Sequence, residues 1–171
     1  MANPMYGQNR FDGSLSETLF SEAGTLREHE NSTDAVDLAF YKIQPNKLKV
    51  GDIIRIKVFC TVVDSNSTDT LTPILKFGGT AIATGAALDV DDSDIVYAWA
   101  DVHVTTTGSS GKMTSCAEIR TDALGAVHVI AATNLTSIDT TSAVDVVLNV
   151  DWSAAHADNE VRLDTFSVEL L

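Results

Sequence analysis

Tyr97 and Trp99 stand two residues apart in the run Val96, Tyr97, Ala98, Trp99, Ala100, and in an extended strand that spacing puts both rings on one face. Rings held side by side on a β surface can stack on the apolar faces of sugars. Packing under a loop, under the N-terminal segment or against a subunit is the preferred reading, since interfaces select the same residue types. The acidic run Asp89, Asp91, Asp92 and Asp94 gathers hard oxygen ligands in one loop, a chemistry suited to Ca²⁺. It lacks the turn glycine and the distal glutamate of a helix-loop-helix calcium site, because Asp94 takes the sixth place and Ala100 the twelfth. A solvated loop is the better reading, and no metal is expected.

Other chemistries find less support. His29, His103, His128 and His156 include no two at a zinc-ligand spacing. Gly108, Ser109, Ser110, Gly111 and Lys112 resemble part of a phosphate loop, but Thr106 replaces its first glycine and Met113 its hydroxyl ligand, which leaves a hairpin turn. No Gly-x-Ser-x-Gly elbow is present, and nothing singles out a pair of carboxylates for glycoside hydrolysis. We therefore expect no catalytic residue, no cofactor and no enzyme. Cys60 and Cys116 sit in apolar runs and read as two buried thiols, with a bridge between them left open.

The elements that must position these groups are strands. The chain has 171 residues, one domain's worth, and its acidic residues are 17 Asp and 7 Glu. Asp favours turns over helices and strands, and Thr, Val and Ile are plentiful, as on a pleated, half-buried surface. From Met1 to Thr33 the apolar residues Met5, Tyr6, Phe11, Leu15, Leu19, Phe20 and Leu26 follow no period, which predicts an extended arm over 1–33 able to lie in a groove of its own domain or of a neighbour. A short helix around residues 15–23 is the alternative.

From Asp34 to Leu171 the alternation of two persists. Ile54, Ile56, Val58, Cys60 and Val62 oppose Arg55, Lys57 and Thr61; Val96 to Val104 oppose Tyr97, Trp99, Asp101 and His103; Val144 to Trp152 oppose Asp145, Asn149 and Asp151. Pro73 suggests an edge strand, and the parity switch between Leu163 and Phe166 predicts a β-bulge near Asp164. About eight strands without a helical period predict an all-β, two-sheet antiparallel sandwich over 34–171, with jelly-roll topology preferred to an immunoglobulin-like one.

A formal charge of −13, from 24 acidic and 11 basic residues, sets a field that repels phosphate backbones, so nucleic acid is not an expected partner. The 44% hydrophobic content separates the chain from disordered acidic sequences. No signal-peptide pattern and no apolar run of membrane-spanning length appears, so no membrane is expected either.

The two ends carry a resemblance. Met1, Ala2, Asn3, Pro4, Met5, Tyr6, Gly7, Gln8 and Asn9 resemble the leaders of small virion structural proteins of tailed bacteriophages. Asp151 to Ala155, Asn159 to Asp164 and Phe166 to Leu170 are similar to the C-terminal strands of phage head and fibre modules. The resemblance implies a capsid decoration, or cement, protein on the outer shell of the virion, made in the host cytoplasm. Its partner would be the major capsid protein and its assembly a homotrimer. The subunit contacts implied run through Met5, Tyr6, Phe11, Leu15, Leu19, Phe20, Tyr97 and Trp99. The alternative is a receptor- or glycan-binding module of a tail fibre.

Overall fold

The structure, a computed structural model, describes residues 16–66, 68–121 and 129–171. Eleven strands are present in the described chain: β1 (Glu17–Glu30), β2 (Val36–Ile43), β3 (Ile53–Asp64), β4 (Thr70–Phe77), β5 (Thr80–Thr84), β6 (Leu88–Asp89), β7 (Ile95–Thr106), β8 (Gly111–Thr121), β9 (Val129–Ile138), β10 (Val144–Trp152) and β11 (Glu160–Leu170). They form two antiparallel sheets, a six-stranded one in the order β1-β11-β3-β7-β8-β9 and a five-stranded one built on β2-β10-β4-β5, where β6 also pairs with β4.

The chain passes back and forth between the two layers. Setting aside the short β6 and the hairpin β8–β9, the remaining eight strands interleave as β1-β11-β3-β7 over β2-β10-β4-β5, which is the strand order of a jelly roll. The β8–β9 hairpin widens the first sheet beyond that core.

Alternation explains the layers. On β3, Ile54, Ile56, Val58, Cys60 and Val62 are fully buried, while the residues between them face out. Val96, Ala98, Ala100 and Val102 of β7, with Ala117 and Ile119 of β8, add to the same inner face. Leu71, Leu75 and Phe77 of β4 and Val146, Leu148, Val150 and Trp152 of β10 come from the opposite sheet. Hydrophobic burial of this extent is the main driving term of the fold. Gly78 and Gly79 join β4 to β5 with φ of 56° and 80°, the left-handed pair that a two-residue hairpin turn requires.

The range 1–33, expected as an arm, contains strand β1 in its described part. β1 pairs with β11 along its length, with register shifts between Thr18 and Phe20 and between Ala23 and Arg27. Each shift resets which side chain points inward, so a strand with two of them shows no period of two. Phe20 stacks on Tyr41 at 5.0 Å and lies 5.3 Å from Phe166, closing the edge of the sandwich between the sheets. The Arg27 Nη1 group donates to the Leu38 carbonyl at 3.1 Å across the same seam.

Three further expectations meet the structure. The bulge lies where parity placed it: β11 pairs Leu163 with Cys60 and then Thr165 with Phe59. Pro73, however, is not in an edge strand, since β4 has β10 on one side and β5 and β6 on the other. It occupies the gap between the stretch paired with β6 and the stretch paired with β5, where the ladder on that side is already interrupted. The cysteines are unlike one another: Cys60 is buried and Cys116 exposed, and both are free. They belong to opposite faces of one sheet, so no bridge can join them.

One end of the sandwich is tied by Asn159, which is fully buried. Its amide nitrogen donates to Asp69 Oδ2 and to the Ala154 carbonyl, both at 2.9 Å, and its oxygen accepts from the Asn66 amide at 3.0 Å. The β3–β4 and β10–β11 loops are thereby fixed to one another by a satisfied polar side chain.

Candidate functional site

The outer face of the six-stranded sheet gathers Phe59, Tyr97 and Trp99, three rings that lie outside the core. β7 presents Ile95, Tyr97, Trp99, Asp101 and His103 there because its alternate residues, Val96 to Val104, are committed to the interior. Antiparallel pairing then decides the neighbours. Phe59 of β3 faces Tyr97, and Arg120 of β8 faces Tyr97 from the other side; Lys57 and Glu118 flank Trp99 in the same way; Arg55 and Cys116 flank Asp101.

Distances confirm the row. The rings of Phe59 and Tyr97 are 4.7 Å apart at an interplanar angle of 47°, and the Arg120 guanidinium lies 4.7 Å from the Tyr97 ring centre, within range of a cation–π contact. Arg55 grips Asp101 with two bonds, Nε to Oδ1 and Nη2 to Oδ2, each 2.9 Å. That fork keeps the guanidinium protonated beyond its ordinary range, chiefly through the hydrogen bonds to Asp101. The Tyr97 phenol is pushed above its usual value by partial burial, opposed by the nearby Arg120 charge.

Exposure marks this face as unusual. The large apolar side chains left exposed in the described chain are Val50, Phe59 and Ile95, and two of the three are here. Phe59 is 41% exposed and Ile95 42%, while Tyr97 and Trp99 are half-buried. An apolar ridge with a fixed polar pair beside it offers ring surfaces for stacking and oriented donors and acceptors for hydroxyl groups.

Of the residues expected from the sequence, Tyr97 and Trp99 lie together on this face. Leu19 and Phe20 lie elsewhere, partly buried against the hydrophobic core. Met5, Tyr6, Phe11 and Leu15 fall outside the described residues. Sequence reasoning missed Phe59 and Arg120. The signal for Phe59 was present, because it shares parity with Arg55 and Lys57 rather than with Val58 and Cys60.

The acidic loop after β6 serves the fold. Asp94 Oδ2 accepts the Asp91 amide and Asp92 Oδ1 accepts the Ser65 amide, both at 2.8 Å, so these carboxylates act as turn caps. Among the described residues no three metal-ligating side chains converge. Gly111 opens β8 after a hairpin loop, and the Lys112 amide donates to Thr106 Oγ1. His103 is exposed, and His128 falls outside the described residues. A separate cleft of about 350 Å³ lies between Gly78, Gly79, Ser137, Asp139 and Ser142. Its Asp139 carboxylate is held below its usual range by the Thr141 and Ser142 hydroxyls, a turn motif rather than a reactive group.

No family model matches the sequence, and no curated protein matches it either. Among solved structures, the CBM2 module of the evolved Dit protein of Lactobacillus casei BL23 phage J-1 is a distant likeness, with 9% sequence identity and a TM-score of 0.30. The match covers 76% of this chain and 67% of that one. A likeness of this degree shows neither family nor function for the present chain, whose site stands on its own geometry.

Proposed function

We propose that the chain is a non-enzymatic binding module of a bacteriophage virion that recognises surface carbohydrate through the outer face of its six-stranded sheet. The observation that carries this reading is the row of exposed Phe59 and half-buried Tyr97 and Trp99 beside the Arg55–Asp101 fork. The virion assignment is supported by the terminal segments that resemble phage structural proteins. Binding is preferred to hydrolysis because Asp101 is held in a bidentate ion pair and is not free to carry a proton to a leaving group.

Capsid decoration, the other role implied by that resemblance, calls for apolar side chains free to reach a neighbour. Leu19 and Phe20, two of those assigned to that contact, pack against the protein's own core instead. Trimeric assembly belongs to the same proposal, since three weak glycan sites on one particle would act together.

The test is affinity electrophoresis of the full chain through a panel of neutral and acidic polysaccharides, with undecorated capsids assayed in parallel. Retardation by at least one polysaccharide is expected. Phe59→Ala and Trp99→Ala should each weaken it about tenfold, the loss of roughly 1.4 kcal/mol of stacking, with circular dichroism unchanged. Capsid binding without any retardation would overturn the reading in favour of decoration, and release of reducing sugar would overturn its non-enzymatic part.

A further inference from the structure

The charges on the aromatic face are distributed in a way that stacking alone does not require. Of the cations in the described chain, Arg27, Lys42, Lys47, Arg55 and Arg162 each hold a carboxylate of their own protein. Lys49, Lys57, Lys76, Lys112 and Arg120 have no carboxylate partner among the described residues. Two of these five flank the ridge on opposite sides, Lys57 beside Trp99 from β3 and Arg120 beside Tyr97 from β8. In a chain where acidic residues outnumber basic ones by 24 to 11, two cations without a carboxylate beside a row of aromatic rings offer a place for an anion.

The carboxylates of this face are spread along it, and two of them are held by cations of the same face, Asp164 by Arg162 near Phe59 and Asp101 by Arg55. Asp101 is neutralised by Arg55, Glu169 stands opposite Arg55 on β11, and Glu118 stands opposite Trp99. At the Phe59–Tyr97 end Asp164 is occupied by Arg162 and Thr61, so Arg120 is the cation that an anion lying on these rings would meet. Arg120 lies against the Tyr97 ring, and a guanidinium stacked on a ring keeps its N–H edges available, a fork that matches a carboxylate.

Resting on the carbohydrate reading above, we propose that the ligand is an anionic polysaccharide of the uronate class, with a sugar ring over Phe59 and Tyr97 and its carboxylate on Arg120, and with Lys57 serving the next residue along the ridge. A neutral glycan would gain only hydrogen bonds from the two cations, whereas a uronate also gains the charge pairing. A polyanion, by contrast, is repelled by the molecule as a whole and can be held only where positive charge is gathered locally.

Alginate, polygalacturonate and hyaluronan, each alongside its carboxyl-reduced form, are the probes for titration of the full chain. Retention of at least one uronate polymer is expected, with carboxyl reduction weakening it about fivefold or more, as for loss of a partly exposed ion pair. Arg120→Gln should weaken binding of the native polymer by a similar factor, with an unchanged dichroism spectrum. If native and reduced polymers bind alike and Arg120→Gln has no effect, the anionic assignment is wrong while carbohydrate binding stands. If a neutral polysaccharide of the wider panel is retained and none of the three uronates is, the outcome is the same. If no polysaccharide of any kind is retained, both readings fall.

Discussion

Burial holds the His29 imidazole below its ordinary proton affinity, and the charges of Asp151 and Asp34 oppose that shift without cancelling it. The ring is 4% exposed and its Nε2 has no partner, so a proton there would add a charge to a site that already leaves a polar atom unsatisfied. A His with a lowered folded-state value binds fewer protons folded than unfolded. Its contribution is therefore complete above the unfolded value of 6.5 and is lost as pH falls below that toward the folded value. Glu160 acts in the opposite sense, because burial and the neighbouring Glu28 and Glu30 raise its carboxyl, so protonation relieves the folded state as acid is added. The difference between wild type and His29→Gln isolates the histidine. Wild-type melting temperature should fall from about pH 7 to about pH 5.5 more steeply than that of the variant; parallel curves would show that His29 is not held neutral by the fold. The binding residues were unevenly legible. Tyr97 and Trp99 announce a shared face by their spacing, whereas Phe59 and Arg120 join them only through the registers of β3 and β8 against β7, which no local pattern encodes.

At the scale of the elements, β1 shows how a strand can be invisible to periodicity and still belong to the core. The inward rows of β3, β7 and β10 could be read off the sequence because each keeps one parity over most of its length. In β1 two register shifts break that parity, and what fixes the strand is its long ladder with β11 and a few large side chains, Phe20 foremost. Phe20 is half-buried and contacts two aromatic rings, Tyr41 from the opposite sheet and Phe166 from its neighbour. Phe20→Ala should cost about 2–3 kcal/mol, below the range for a fully buried ring but including two aromatic pairs. For a chain of this size that corresponds to a drop of about 5–10 °C in melting temperature, read by calorimetry. A change of only about a degree would mean that β1 frays from β11 in solution, and the segment would then be free to serve as the arm that its sequence suggested. The jelly-roll order was reachable from the sequence because strand count and absence of helical period left few architectures, but the insertion of the β8–β9 hairpin depends on long-range pairing with β7.

For the molecule as a whole, the formal charge of −13 has two consequences with opposite dependence on salt. Carboxylates spread over the surface of a compact sandwich repel one another, which lowers the stability of the folded state. The ion pairs that could offset this are few and mostly partly exposed, such as Lys42–Asp145 and Lys47–Glu17, and pairs of that kind contribute little. Raising salt from about 10 mM to about 200 mM shortens the screening length from roughly 30 Å to under 10 Å. Repulsion between distant carboxylates is then removed, while the Arg55–Asp101 fork, held at 2.9 Å, is screened far less. Melting temperature should rise over that interval by several degrees, equivalent to about 1–2 kcal/mol for a domain of this length. Binding of a uronate polymer by Lys57 and Arg120 should weaken over the same interval, because it depends on exposed charge pairs. The opposed slopes separate two origins of the acidity: a melting temperature that falls with salt would mean that local ion pairs, not dispersed repulsion, govern the surface. A rise in melting temperature with a loss of retention would instead place the attraction at one cationic ridge on an otherwise self-repelling shell.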